Sequence, residues 1–263
     1  MNILFFGDIV GRPGRAALAA WLPILRGIHQ PELVLANAEN AAGGMGLTPD
    51  IAEDLFDLGV DAMTLSNHAW AKRELIPYLD HEPRVIRPLN LPGVPPGGGS
   101  VVVETATGIK VGLMSLLGRV FLTMHPEDPF RVGLAEALRM RQLGIRHIIV
   151  DFHAEATSEK AALGWYLDGK VSAVLGTHTH VQTADERILP QGTAYLTDLG
   201  MTGPVNSVIG VQVELAVERF TTQLPVRFAP ASGPACVAGA VLRLADDGRA
   251  LGIERFYHQG EPG

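Results

Sequence analysis

Eight polar side chains have types and positions that could do chemistry: Asp8, Glu39, Asn40, Asn67, His68, His153, His178 and His180. Each stands where a short apolar run stops. Asp8 follows Ile3–Phe6, Glu39 and Asn40 follow Leu33–Asn37, and Asn67 and His68 follow Ala62–Leu65. His153 follows Ile148–Phe152, while His178 and His180 follow Val171–Leu175. Runs of this length and composition predict buried strands. Residues two apart in an extended segment point to one side, so His178 and His180 are expected to reach a common volume. Singly, none of these residues is informative, because an Asp after a strand is ordinarily a turn former or helix cap. Their recurrence at the same edge of successive strands, as carboxylates, amides and imidazoles, describes a metal-ligand set. The set is too large for one ion with open positions and suits two.

A carboxylate can bridge two cations, and a solvent molecule held between them loses a proton far more readily than bulk water. Two ions about 3.5–4 Å apart can clamp a phosphoryl group, so hydrolysis of a phosphoester is the expected reaction. Imidazole and amide-oxygen ligands favour iron, manganese or zinc over calcium, with iron expected first. Cys236 is the one cysteine, which excludes an internal disulfide and a thiolate cage and fits a reducing cytoplasm.

The elements that must position these residues follow from periodicity. Arg15–Ile28 carries Leu18, Trp21, Leu22 and Leu25 at helical spacing, with Pro23 a candidate kink. Thr48 and Pro49 cap and start a helix through Leu58, and Lys72–Leu79 reads as a short one. Pro83–Ser100, rich in proline and glycine, reads as a surface connection. Hairpins are expected for Val101–Thr105 with Lys110–Leu116, Arg187–Leu189 with Ala194–Thr197, and Val237–Leu244 with Leu251–Tyr257. Phe130–Leu143 and Gln212–Phe220 read as helices, and Thr202–Phe228 as a candidate lid. Alternation early and antiparallel strands late predict one α/β domain over 1–263, with two mixed sheets packed face to face and helices outside. In open α/β sheets, ligands bind at the carboxyl edge of the strands.

Composition narrows the partners. The formal net charge of −7 argues against an extended nucleic-acid groove. The opening residues Met1–Gly7 are too short for a signal peptide's apolar segment, and no apolar run approaches the ~20 residues that span a bilayer. A soluble homo-oligomer acting on a small phosphoester is the expectation.

Several phrases resemble the calcineurin-like metallophosphoesterases. Gly176-Thr177-His178-Thr179-His180 is close to that superfamily's Gly-His-x-His motif, and Ser66-Asn67-His68 to its Gly-Asn-His motif. The chain resembles more closely the YmdB-type branch of bacterial phosphodiesterases. The phrases that carry this are Gly7–Gly11, Asn37–Ala42, Asp151–Lys160 and Thr197–Pro204. This resemblance implies a calcineurin-like fold and hydrolysis of 2′,3′-cyclic nucleotides by in-line attack of a metal-bridging hydroxide. It implies that Asp8, Glu39, Asn40 and His180 hold one ion. Glu39 would bridge to a second, completed by Asn67, His153 and His178, and His68 would protonate the leaving ribose oxygen. Three positions depart from the broader superfamily. Val10 stands where a ligand histidine is usual, Glu39 where the bridge is usually Asp, and Ala69 where an acidic residue orients the catalytic histidine.

Other features carry smaller expectations. The Gly-rich Ala41–Gly46 could offer amides to a phosphate but reads rather as a flexible connection, and Arg119 and Lys160 could steer an anion or be plain surface charges. Trp21 and Trp165 are expected in the core. The competing activities are a phosphomonoesterase or broad phosphodiesterase with the same ions, or a regulatory cyclic-nucleotide or RNA sensor with slow turnover.

Overall fold

The computed structural model describes residues 1–262. Its first part alternates strand and helix: β1 (Asn2–Phe6), β2 (Asp8–Ile9), α1 (Gly11–His29), β3 (Leu33–Asn37), α2 (Pro49–Asp57), β4 (Ala62–Thr64), α3 (Leu75–Tyr78) and β5 (Val85–Ile86). There follow β6 (Ser100–Glu104), β7 (Lys110–Leu117), α4 (Pro129–Gln142), β8 (His147–His153), α5 (Thr157–Tyr166), β9 (Ala173–Thr177), β10 (Arg187–Ile188) and β11 (Ala194–Leu196). The chain ends with β12 (Met201–Pro204), α6 (Val213–Thr222), β13 (Ala235–Leu244) and β14 (Ala250–Gln259). Local chemistry sets several boundaries. The Thr48 hydroxyl accepts from the Ile51 N–H to cap α2, and the Asp128 carboxylate accepts from the N–H groups of Phe130 and Arg131 to cap α4.

Two mixed sheets result. In the first, of eight strands, β1, β3, β4 and β5 run parallel, so their carboxyl ends share one edge. β13 lies antiparallel to β1, to β12 and to β14, and β12 in turn pairs with β2. In the second, of six strands, β7, β8, β9 and β11 are parallel, flanked by antiparallel β6 and β10.

The central strands are apolar on both faces because both faces are covered, whereas β6, β10 and β14 leave residues exposed. Along β1, Ile3 and Phe5 join one apolar cluster while Leu4 and Phe6 join another, as the alternation of strand side chains requires. The first cluster draws on both sheets, with Leu35 and Leu242 from one and Leu113, Ile149 and Leu175 from the other. The second sets Leu4, Phe6 and Val34 against Leu18, Leu22 and Leu25 of α1 and Leu55 of α2. A third sets Leu116, Ile148 and Phe152 against Ala137 and Met140 of α4 and Leu163 of α5. Each fully buried Leu, Ile or Phe contributes about 1.5–3 kcal/mol of transfer free energy.

The structure corrects several expectations. α1 begins at Gly11 rather than Arg15 and runs on through Pro23. Pro83–Ser100 is not merely a surface connection, since Val85 and Ile86 form a fully buried strand beside β4 and Asn90 bonds the backbone of Leu117 and Glu127. β9 ends at Thr177, two residues later than the apolar run, because its pairing with β8 continues to Thr177 opposite His153 and includes Gly176. A Cβ there would sit 1.7 Å from the Thr197 carbonyl oxygen. Trp165 is 53% exposed near the end of α5 instead of in the core, whereas Trp21 is partly buried and its indole N–H donates to the Gly260 carbonyl. Within Thr202–Phe228, Thr202–Pro204 is a buried strand and so no part of a lid. No described helix is long and apolar enough to cross a membrane.

Candidate metal centre

Asp8, Glu39, Asn40, Asn67, His68, His153, His178 and His180 come together where the carboxyl ends of β1, β3, β4, β8 and β9 meet. Ligand-type atoms of Asp8, Glu39 and His153 lie within 4.8 Å of one another, and all three side chains are buried. His153 Nε2 is 2.9 Å from Glu39 Oε1 and 2.9 Å from His178 Nδ1. His180 Nε2 lies 3.8 Å from Asp8 Oδ1, and His153 Nδ1 lies 3.9 Å from the same oxygen.

Each histidine's proton placement follows from what its outer nitrogen meets. Thr177 Oγ1 is 2.7 Å from Asp151 Oδ1 and 2.9 Å from His153 Nδ1. An ionised carboxylate only accepts, so the single hydroxyl proton goes to Asp151 and the oxygen accepts from His153 Nδ1–H. That leaves a lone pair on His153 Nε2, facing Glu39 and His178. His178 Nε2–H donates to Glu155 Oε2 at 2.9 Å, which leaves a lone pair on Nδ1. His180 Nδ1–H donates to the Ile209 carbonyl at 2.8 Å, so its Nε2 also faces inward unprotonated. Imidazoles whose outer N–H is held by the protein are arranged as metal ligands are.

Three acceptors, Glu39 Oε1, His153 Nε2 and His178 Nδ1, thus converge, and only a proton or a metal cation between them makes the arrangement stable. Without a metal the proton takes that place. Burial alone would lower His153, but adjacent Glu39 lifts it to about 9, while burial and charged His153 push His178 down to about 3. Burial raises Asp8 to about 6, only partly opposed by His180 and His153. Asp8 Oδ1 and Asn67 Oδ1 are buried and have no hydrogen-bond partner among the described residues. An orphaned carboxylate oxygen of Asp8 between His153 and His180 fits a bound cation, and the donors present suit first-row transition ions. Asn40 is placed nitrogen-first, with Nδ2 3.3 Å from His180 Nε2, so ligation would require its amide to turn over.

His178 and His180 do not converge by strand alternation as expected. Both follow the end of β9 and both have left-handed backbones, φ 105° and 65°, costing about 1–3 kcal/mol each for non-glycine residues. The loop therefore points His178 toward His153 and His180 toward Asp8 and Asn40, two adjacent positions rather than one. Asp8 Oδ2 accepts from the His178 N–H at 3.2 Å, and Asp198 Oδ2 accepts from the N–H and hydroxyl of Thr179 at 3.1 and 2.8 Å. Asp198 is itself held by Lys160 Nζ at 2.7 Å, both nearly fully buried. Lys160 is thus not a surface charge steering an anion. Arg119 is exposed, and the Ala41–Gly46 amides of Ala42, Gly44 and Gly46 are spent on Gly46, Asn40 and Glu39 carbonyls rather than turned outward.

His68 lacks an acidic neighbour at Ala69, but Asn67 on its other side supplies an orienting contact. Its Nδ2, which can only donate, is 3.3 Å from His68 Nε2, so the His68 proton resides on Nδ1. Burial pushes His68 below its ordinary value, opposed by Glu39, and its backbone N–H donates to Glu39 Oε2 at 3.1 Å.

Asp151, Thr177 and Asp198 have no role in the expected site, and Lys160 is expected there only as a charge that steers an anion or lies on the surface. Asp151 was legible as a charge inside the apolar run Ile148–Phe152, two residues before His153 and hence on its face. Asp198 was legible as the carboxylate just past Ala194–Thr197. The cluster opens onto a cavity of about 260 Å³ walled by Met45, Ile209, Phe228 and Pro230.

The family described as YmdB-like protein matches residues 4–256. The chain is 47% identical over 260 residues to the 2′,3′-cyclic-nucleotide 2′-phosphodiesterase of Bacillus subtilis, covering 97% of this chain and 96% of that one. A crystal structure of a hypothetical protein from Thermus thermophilus superposes with TM-score 0.93 at 41% identity, covering 100% of both chains. A novel phosphatase from Mycoplasma pneumoniae superposes with TM-score 0.93 at 34% identity, covering 99% of this chain and 94% of that one. With its strand-end histidines and carboxylates in place, the chain belongs to the YmdB-like protein family.

Proposed function

We propose that this chain is a metal-dependent phosphoric ester hydrolase that opens 2′,3′-cyclic nucleotides at the 2′ ester. The carrying observation is the convergence of Glu39, His153 and His178 lone pairs beside the orphaned oxygen of Asp8. Asp8, Glu39, Asn40 and His180 would hold one ion, and Asn67, His153 and His178 a second that shares Glu39. Iron is the first choice, with manganese or zinc accepted by the same donors. When bound, such a pair activates a water for in-line attack on phosphorus and offsets charge on the phosphoryl oxygens.

The residues themselves do the rest. His68 would serve as the general acid: it takes up a proton and, as the bond from phosphorus to the 2′ oxygen breaks, gives it to the departing ribose oxygen, which returns the imidazole to its neutral form. Its contact with Asn67 and the Glu39 Oε2 bond to its N–H tie its position to the ligand set. The shared apolar cluster supports reading the sheets as the two layers of a calcineurin-like sandwich in a single domain. The buried, unpaired Cys236 fits a cytoplasmic location. The exposed stripe Val213, Val217 and Phe220 on α6 fits a homo-oligomer, which a one-chain mass by light scattering would refute.

The test is a panel of 2′,3′-cyclic nucleotides, linear diesters and monoesters under one metal condition, with metal content measured on the same sample. Fastest turnover of the cyclic substrates is expected. A preference for monoesters would favour the phosphatase, and tight binding without turnover the sensor.

A further inference from the structure

We propose that the apolar wall facing the metal cluster is a subsite for the nucleobase, with Phe228 as its stacking platform and Met45 and Ile209 as its flanks. Met45, Ile209 and Phe228 are each 51% exposed, yet all three line the same cavity as His68, His178 and His180. Large apolar side chains left in solvent at the mouth of a polar site mark a ligand surface more often than a packing defect. The inference rests on the cyclic-nucleotide reading above and adds which residues hold the nucleoside end.

The wall is built rather than incidental. Val211 bridges to Pro230, Gln212 N–H donates to the Ala229 carbonyl at 3.0 Å, and Ala231 N–H donates to the Gly210 carbonyl at 2.9 Å. Two segments flanking α6 are thereby laced into one ribbon. That ribbon is fastened to the ligand set, because the Ile209 carbonyl accepts from His180 Nδ1. On the opposite side Gly44 closes against it: with φ 84°, it would place a Cβ 3.0 Å from Pro230 Cγ. Metal end and apolar end are therefore at a fixed separation, as a substrate with a phosphate at one end and a flat ring at the other requires.

The side chains that line the cavity divide cleanly. The polar ones, Glu39, Asn40, His68, His178 and His180, belong to the cluster, and the wall itself carries no hydrogen-bonding side chain. A base held there is read by its π-face and area, since every base has a π-face and no wall side chain can address its edges. Acceptance of all four bases follows, with purines favoured over pyrimidines.

The experiment compares kcat/KM for 2′,3′-cyclic AMP with kcat/KM for methyl riboside 2′,3′-cyclic phosphate, which lacks a base, in wild type, Phe228→Ala and Phe228→Trp. It also measures the Kd of the product 3′-AMP by calorimetry. The ratio is expected to fall about tenfold in Phe228→Ala, with 3′-AMP binding weakened similarly, and to be restored in Phe228→Trp. Phe121→Ala, which removes an exposed phenylalanine that does not line this cavity, serves as the control and should leave the ratio unchanged. A Phe228→Ala ratio within twofold of wild type, in an enzyme that turns over cyclic AMP, would overturn the subsite alone. A wild type inert toward every cyclic nucleotide would overturn the cyclic-nucleotide reading and the subsite together.

Discussion

Replacing Thr177 by valine keeps the branched shape inside β9 and deletes one hydroxyl, and the structure says what that hydroxyl does. It donates to Asp151 Oδ1 at 2.7 Å and accepts from His153 Nδ1 at 2.9 Å, and all three residues are fully buried. Without it the His153 Nδ1–H has no acceptor, so the proton is better placed on Nε2, where it occupies the lone pair that faces Glu39 and His178. Loss of a group that orients a ligating histidine typically costs 10–100-fold in metal affinity, or about 1.4–2.8 kcal/mol. The metal-free fold loses as well, because burying an unsatisfied donor costs about 1–3 kcal/mol, a fall of several degrees in Tm for a chain of this size. Competition against a chelator of known affinity gives the Kd for Mn²⁺, and differential scanning calorimetry of the stripped protein gives the Tm. Thr177→Ser retains the hydroxyl and should stay near wild type in metal affinity. Thr177→Val binding Mn²⁺ within twofold of wild type would refute the orienting role of this hydroxyl and the placement of the His153 proton that depends on it.

Four further outcomes are expected. His68→Ala should keep its metals by elemental analysis and lose most turnover of cyclic substrates, and an unchanged rate removes His68 from the mechanism. Glu39→Ala should lose both ions or the affinity for one, whereas full occupancy would count against a shared carboxylate. Lys160→Met leaves Asp198 buried without its cation and should destabilise the metal-free protein by about 3–5 kcal/mol in denaturant titration, with part recovered in Lys160→Met/Asp198→Asn. Burial raises the Asp61 carboxyl above its ordinary value, against the Val34 N–H and Arg26, so the folded chain holds that proton more tightly than the unfolded one. The associated stability is complete below the ordinary carboxyl value of about 4 and is lost as pH rises through the higher folded value, so the Tm of wild type minus that of Asp61→Asn should fall as pH is raised above about 4. A flat difference would contradict it.

The strand ends were legible because parallel strands buried on both faces read as uninterrupted apolar runs, and their polar sequels necessarily fall at one edge. That is why Asp8, Glu39, His153, His178 and His180 group together in the sequence pattern. The path by which His178 and His180 arrive was not legible, since a left-handed backbone at a non-glycine residue leaves no mark on local periodicity. Nor was the buried role of Lys160, whose partner Asp198 lies 38 positions on and meets it only through the packing of α5 beside β9. The short strand β5 was hidden by the prolines around it, and Trp165 misled because helical spacing names a face without saying whether another element covers it.

The pairing of β13 has a bearing on how this protein is made. β1, which leads into Asp8, is antiparallel to β13, the last strand but one, with Asn2 opposite Arg243 and Phe6 opposite Gly239. On a ribosome the parallel strands β1, β3 and β4 can associate early, but one flank of β1 stays open until the segment from Ala235 has emerged. Nascent chains stalled before that point expose an unpaired apolar edge beside Asp8, a natural binding target for holding chaperones and a hazard for intermolecular strand pairing. Loading of the centre should accordingly be a late, post-release event, detectable as metal uptake by full-length chains and not by ribosome-tethered ones.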